Sequence, residues 1–213
     1  MVVPPLDATL AAVARTTKGF LPDDEGLALY AAACRTVPSG PLVEIGSYCG
    51  RSTVYLGAAA RATRRVVFSI DHHRGSEENQ PGEEYHDPDL VDAHGRVDTL
   101  GCFRATIARA GLDDYVVAIV GESTVVARAW STPVALLFID GGHSAAATHA
   151  DYESWAPELV TGGMLAIHDV FPDPADGGRP PFEIYRRALA SGAFEETDGC
   201  GSLRVLRRVA DGI

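Results

Sequence analysis

Leu42-Val43-Glu44-Ile45-Gly46-Ser47-Tyr48-Cys49-Gly50-Arg51-Ser52-Thr53 is the stretch whose reading decides the fold. A buried strand over 42–46 gives way to a tight turn, and a helix opens near Arg51. Gly46 and Gly50 let the backbone approach a ligand closely. The first turn of the helix offers free N–H groups and a positive dipole end, suited to a carboxylate or a phosphate. The spacing is GxxxG and not GxGxxG, which disfavours a pyrophosphate-binding turn. Glu44 sits inside an apolar strand, where an acid is costly without a partner. A ligand ammonium or an oriented backbone network would supply one. The plainer alternative is a tight strand–helix turn of the kind any α/β protein contains.

Working outward, further apolar runs cover 66–71, 116–120, 134–140 and 164–169. They are continuous and not alternating, as in strands buried on both faces of a parallel sheet. Helical patterns lie between them at 51–62, 98–110, near 124–130 and at 144–159. Strand–helix alternation with right-handed crossovers gives a doubly wound α/β sheet. Residues 7–17 and 23–37 read as two leading helices, and 181–190 as a helix near the end. Strands at 194–197 and 202–209, split by the turn signal Asp198-Gly199-Cys200-Gly201, add an antiparallel edge. The expectation is one domain over 1–213: a Rossmann-like, seven-stranded, mostly parallel sheet with an antiparallel C-terminal strand. Its first 40 residues carry helices, and 72–97 form an insertion.

The chain has 213 residues, 46% hydrophobic and 22% charged, an ordinary globular composition that suffices for one core. No apolar run approaches the roughly 20 residues that span a bilayer. The start, MVVPPLDATL, lacks the basic-then-apolar order of a secretory signal, so a cytoplasmic protein is expected. A net charge of −11 with no basic block disfavours nucleic acid. Cys34, Cys49, Cys102 and Cys200 form no CxxC pair and are expected to be reduced, buried thiols. A homodimer with a small-molecule partner and no membrane contact completes these expectations.

Asp71 closes the second strand, where an acid can accept both hydroxyls of a ribose. A helix cap is the rival reading for Asp71 alone. Together with the first turn it favours a nucleoside site. The run GSYCGRS after VEI resembles the glycine motif of class I S-adenosylmethionine-dependent methyltransferases, and within them the catechol-type metal-dependent O-methyltransferases. The resemblance covers residues 40–170. It implies that Glu44, Gly46, Tyr48 and Ser52 hold the methionine end of the cofactor and Asp71 its ribose. It also implies that Ser123, in Val120-Gly121-Glu122-Ser123, meets the adenine. Ser47, Gly50, His72 and Asp140 complete the expected cofactor contacts. Arg51 departs from the pattern, which carries an aromatic residue there.

Phe138-Ile139-Asp140-Gly141-Gly142-His143 closes the fourth strand and Ala166-Ile167-His168-Asp169 the fifth. Neighbouring strands would gather Asp140, His168 and Asp169 at one sheet edge. Two carboxylates and an imidazole suit a divalent ion, Mg²⁺ first, with Mn²⁺, Fe²⁺ or Zn²⁺ left open by the histidine. Methyl transfer to a hydroxyl is an in-line displacement, and an alcohol is a poor nucleophile until it is deprotonated or metal-bound. His143 is a candidate base. Each of these residues has a plain structural alternative, a cap or a loop hydrogen bond. By resemblance, Asp140 matches a metal ligand of the catechol-type enzymes. Asp169 falls where they carry an Asn ligand, His168 where they carry another Asp, and His143 where their catalytic lysine stands. Asp140 and Asp169 also resemble the pattern of macrolide-sugar O-methyltransferases and of the cephalosporin-hydroxylase-like group.

Two polar segments, HHRGSEENQPGEEYHDPDLVDAHGR (72–96) and FPDPADGGRPP (171–181), follow strand carboxyl ends, the edge where open α/β sheets bind ligands. Their density of hydrogen-bonding groups suits a sugar better than a flat phenol. Arg74, Asn79 and Arg179 are the expected acceptor contacts. DHHRGSEENQPG is similar to a segment of bacterial polysaccharide O-methyltransferases that act on mannosides. Rival readings are a phenol O-methyltransferase, an iron-dependent hydroxylase, an NAD-dependent dehydrogenase and a non-catalytic nucleoside-binding module. The dehydrogenase lacks both GxGxxG and a Tyr-xxx-Lys pair.

Overall fold

A computed structural model describes residues 3–36, 39–142, 144–173 and 176–213. Helices α1 (Ala8–Thr16) and α2 (Asp23–Arg35) come first. Asp7 caps α1 by accepting from the Thr9 and Leu10 amides. Asp23, Asp24 and Glu25 open α2, where the helix dipole favours negative charge. There follow β1 (Leu42–Ile45), α3 (Arg51–Thr63), β2 (Val67–Asp71), α4 (Leu100–Ala110), β3 (Val116–Val120) and α5 (Ser123–Ala127). Then come β4 (Val134–Ile139), α6 (Ala145–Trp155), β5 (Leu159–Ile167), α7 (Arg179–Ala190), β6 (Phe194–Cys200) and β7 (Leu203–Arg208).

Among the described residues one seven-stranded sheet has the order β3-β2-β1-β4-β5-β7-β6. β1 pairs in parallel with both β2 and β4, and the winding reverses between β1 and β4. That reversal opens a crevice at the carboxyl edge. Strand period two sends alternate residues to opposite faces. Leu42, Val67, Leu136, Phe138 and Ala166 pack with α1–α4. Val43, Ile45, Ile70, Leu137, Leu165 and Ile167 pack with α6 and α7.

The sequence expectations need five adjustments. The sixth helix stops at Trp155, because Pro157 lies in a 3-10 turn over Ala156–Glu158 and cannot continue the ladder. β5 therefore begins at Leu159, with an irregularity before Met164 where Gly162 takes φ +84°. β6 runs on to Cys200, and the hairpin turns at Gly201 and Ser202. β7 lies between β5 and β6, so the antiparallel strand is internal and β6 forms the edge. The four cysteines are free, but only Cys34 and Cys49 are buried. Among the described residues no helix is long and apolar enough to cross a membrane.

Helix α2 sits tightly on α3. A Cβ at Gly26 would lie 2.3 Å from the Tyr55 ring, which is 1% exposed. Gly26→Ala is expected to destabilise the protein by about 1–3 kcal/mol, read as a lower melting temperature. An unchanged melting temperature would contradict this packing.

Candidate active site

Gly46 takes φ +83°, and a Cβ there would lie 2.2 Å from the Asp140 carbonyl oxygen. Only glycine lets the first turn approach the fourth strand's exit this closely. Gly50 (φ +89°) precedes α3, and Tyr48 holds a left-handed φ of 47°. Asp71 shapes the turn: one carboxylate oxygen accepts from the Ser47 amide at 2.8 Å and the Tyr48 amide at 2.9 Å. Its other oxygen accepts from the His73 amide at 2.6 Å. His72 Nδ1 accepts from the Arg74 amide at 3.0 Å.

Glu44 shares the sheet face of Leu42 and points under α3. It is fully buried and accepts three hydroxyl bonds, from Ser52 at 2.7 Å and from Thr53 and Ser69 at 2.6 Å each. Burial pushes its carboxyl up to about 7, opposed by the three hydroxyls, while nearby Asp140 adds to the rise. The partner that its apolar strand required is thus a hydroxyl cage. Ser52 belongs to this cage.

At the third strand's exit the Ser123 hydroxyl donates to Asp151 of α6, and Trp155 Nε1 donates to the Ser123 carbonyl at 3.3 Å. Burial raises Asp151 to about 6, against the lowering effect of the Ser123 bond.

The acids gather as the strand order requires. Ligand atoms of Asp140, His168 and Asp169 lie within 4.8 Å of one another. The carboxylate side chains are 21% and 22% exposed, and His168 is 4% exposed. His168 Nδ1 stands 2.9 Å from Asp140 and 3.4 Å from Asp169, and Nε2 stands 2.7 Å from Glu25. Burial alone would lower the imidazole, but Asp140, Asp169 and Glu25 outweigh it and push it up to about 12. Asp169 itself takes φ +55°. The two partly open carboxylates are hard oxygen donors and fit a divalent ion such as Mg²⁺. His143 lies outside the described residues.

The three expected acceptor contacts each have partners within the chain. The Asn79 side-chain oxygen accepts from the Ser76 amide and hydroxyl, and its amide group donates to the Tyr85 carbonyl. It closes a capping box and is 9% exposed. Arg74 pairs with Asp92 and Asp98. Arg179 stands over the Phe182 ring and 3.6 Å from Glu183. The 72–97 insertion thus spends many polar groups on its own backbone.

Glu25 was not foreseen. Its signal lay in α2, where Glu25, Leu29, Ala32 and Ala33 share one buried stripe. An acid on such a stripe needs a buried partner.

Residues 43–170 match a family model described as a methyltransferase domain. Among solved structures, the O-methyltransferase NovP is 18% identical and covers 88% of this chain and 81% of its own, with a TM-score of 0.63. A protein from Corynebacterium glutamicum is 16% identical over 97% of this chain and 92% of its own, with a TM-score of 0.67. CalS11, a TDP-rhamnose 3′-O-methyltransferase of calicheamicin biosynthesis, is 18% identical over 85% of this chain and 76% of its own, with a TM-score of 0.60. At these identities the likeness is one of fold. The chain belongs to the methyltransferase domain family. It is an S-adenosylmethionine-dependent methyltransferase of the Rossmann-like class.

Because Glu44 is raised from 4.5 to about 7, the folded state holds a proton that the unfolded chain has released between those values. That contribution is full below about pH 4.5 and is lost as pH rises to about 7, by about 3 kcal/mol. Wild type should therefore lose melting temperature relative to Glu44→Gln across that window. Parallel curves, or a loss in the opposite direction, would contradict the buried-acid account.

Proposed function

We propose that this protein moves the methyl group of S-adenosylmethionine onto a hydroxyl oxygen of a sugar or a similar small hydroxylated metabolite, with help from a divalent ion. The observation that carries this reading is the meeting of two partly open carboxylates, Asp140 and Asp169, with the Gly46–Gly50 turn. A non-catalytic nucleoside module has no use for that convergence. The sugar preference is supported by the polar insertion and by the likeness in fold to CalS11, a TDP-rhamnose 3′-O-methyltransferase.

In this reading the Ser47–Gly50 backbone and the amino end of α3 receive the methionine carboxylate. Asp71 and His72 border the ribose, and Ser123 the adenine. Asp140 and Asp169 would hold the ion, with Mg²⁺ favoured by the oxygen donors. When bound, such an ion lowers a hydroxyl's pKa and fixes its oxygen. His143, three residues after Asp140 in the chain, takes the hydroxyl proton. The new bond joins that oxygen to the methyl carbon as the carbon–sulfur bond breaks in line, leaving S-adenosylhomocysteine. Arg74 and Arg179, with side chains 48% and 54% exposed, remain the proposed acceptor contacts.

The test is a screen of hydroxylated acceptors, sugars first, with Mg²⁺ and S-adenosylhomocysteine release as the signal. EDTA is expected to stop turnover. Asp140→Ala and Asp169→Ala should lower it by at least about a hundredfold with cofactor affinity nearly unchanged. Full activity after exhaustive chelation would sink the metal-assisted mechanism. His143→Ala should slow the reaction by about a hundredfold while sparing metal binding, and an unaltered pH–rate profile would remove it as the base.

A further inference from the structure

Resting on the metal-assisted reading, we infer that His168 is not a ligand of the ion. It acts as a brace, anchored by Glu25, that positions the Asp140 and Asp169 carboxylates. A ring nitrogen that binds a metal must offer its lone pair, whereas one that faces a carboxylate offers its N–H. Both nitrogens of His168 face carboxylates: Nε2 lies 2.7 Å from Glu25, and Nδ1 lies 2.9 Å from Asp140 and 3.4 Å from Asp169. Nδ1, the nitrogen on the side of the two aspartates, is engaged by Asp140, and Nε2 is turned to Glu25 on the other side of the ring.

Glu25 is itself anchored. Its Oε1 accepts from the Ser202 amide at 2.7 Å, and its Oε2 lies 3.1 Å from the Ser202 hydroxyl. A Cβ at Gly201 would fall 2.1 Å from Oε1, so a glycine in the β6–β7 turn (φ +54°) is what admits this acid. The Glu25 and His168 side chains are 5% and 4% exposed, which leaves the ring little freedom to swing. Glu25 and Ser202 both lie outside residues 43–170, so the geometry of the site depends on helix α2 and the C-terminal hairpin.

The test uses Mn²⁺ as the probe on the full chain. Electron spin echo modulation of Mn²⁺-loaded wild type and His143→Ala reads any nitrogen bound directly to the ion. No such nitrogen is expected in His143→Ala. A directly bound nitrogen that persists in His143→Ala and disappears in His168→Asn would overturn the inference. By calorimetry, Glu25→Gln should weaken Mn²⁺ binding about ten- to a hundredfold, while S-adenosylhomocysteine affinity stays within about twofold. A Glu25→Gln protein with a lower melting temperature but unchanged Mn²⁺ affinity would make Glu25 merely structural and overturn the inference as well. Wild type that binds no Mn²⁺ would remove the metal-assisted reading and this inference with it. Mn²⁺ bound through His168 would remove this inference alone.

Discussion

A row of backbone hydrogen bonds crosses the carboxyl edge of the sheet, and the site depends on it. The Gly46 amide donates to Ile70, the Asp140 amide to Ile45, and the His168 amide to Ile139, at 3.0, 2.9 and 3.2 Å. Parallel pairing allows no slip here, since a shift of one residue would turn every side chain to the opposite face. The row brings the glycine turn and the two acid-bearing strand ends to one level. Gly46 then lets them close up, because any side chain at that position would strike the Asp140 carbonyl.

Strand parity decides which way the chemistry faces. Glu44, Phe138 and Ala166 point to the side of α1–α4, and His168 follows Ala166 by two residues. That side holds α2, so His168 meets Glu25. The same parity buries Glu44 beneath α3, where hydroxyls from Ser52, Thr53 and Ser69 receive it. Two acids that would each be costly in an apolar layer thus find partners, one in hydroxyls and one in an imidazole and a backbone turn. Net stability from such networks is modest. Their larger effect is to hold the edge in one arrangement.

Much of this was legible in the sequence, for physical reasons. Strands buried on both faces read as unbroken apolar runs, and β1 and β4 fell within a residue of expectation, as did β3, although it is an edge strand with Val117 and Val120 exposed. Asp140 and Asp169 could be paired because neighbouring strands end at a common edge. What escaped depended on long-range contact or on local breakers. The Glu25–His168 contact joins segments far apart in sequence, and only the face of α2 hinted at it. Pro157 and Gly162 moved the α6–β5 boundary. The capping box that Asn79 closes was also not foreseen, although short polar side chains in loops readily bond to nearby backbone.

The central claim is metal-assisted transfer of a methyl group to oxygen at the junction of the glycine turn and the two acids. The most direct measurement uses S-adenosylmethionine carrying a carbon-13 methyl group, with a panel of sugar acceptors, followed by NMR of the products. The account predicts a labelled methyl ether that forms with Mg²⁺ and does not form with EDTA. Label on nitrogen or carbon, or a methyl ether that forms equally well with EDTA, would contradict it.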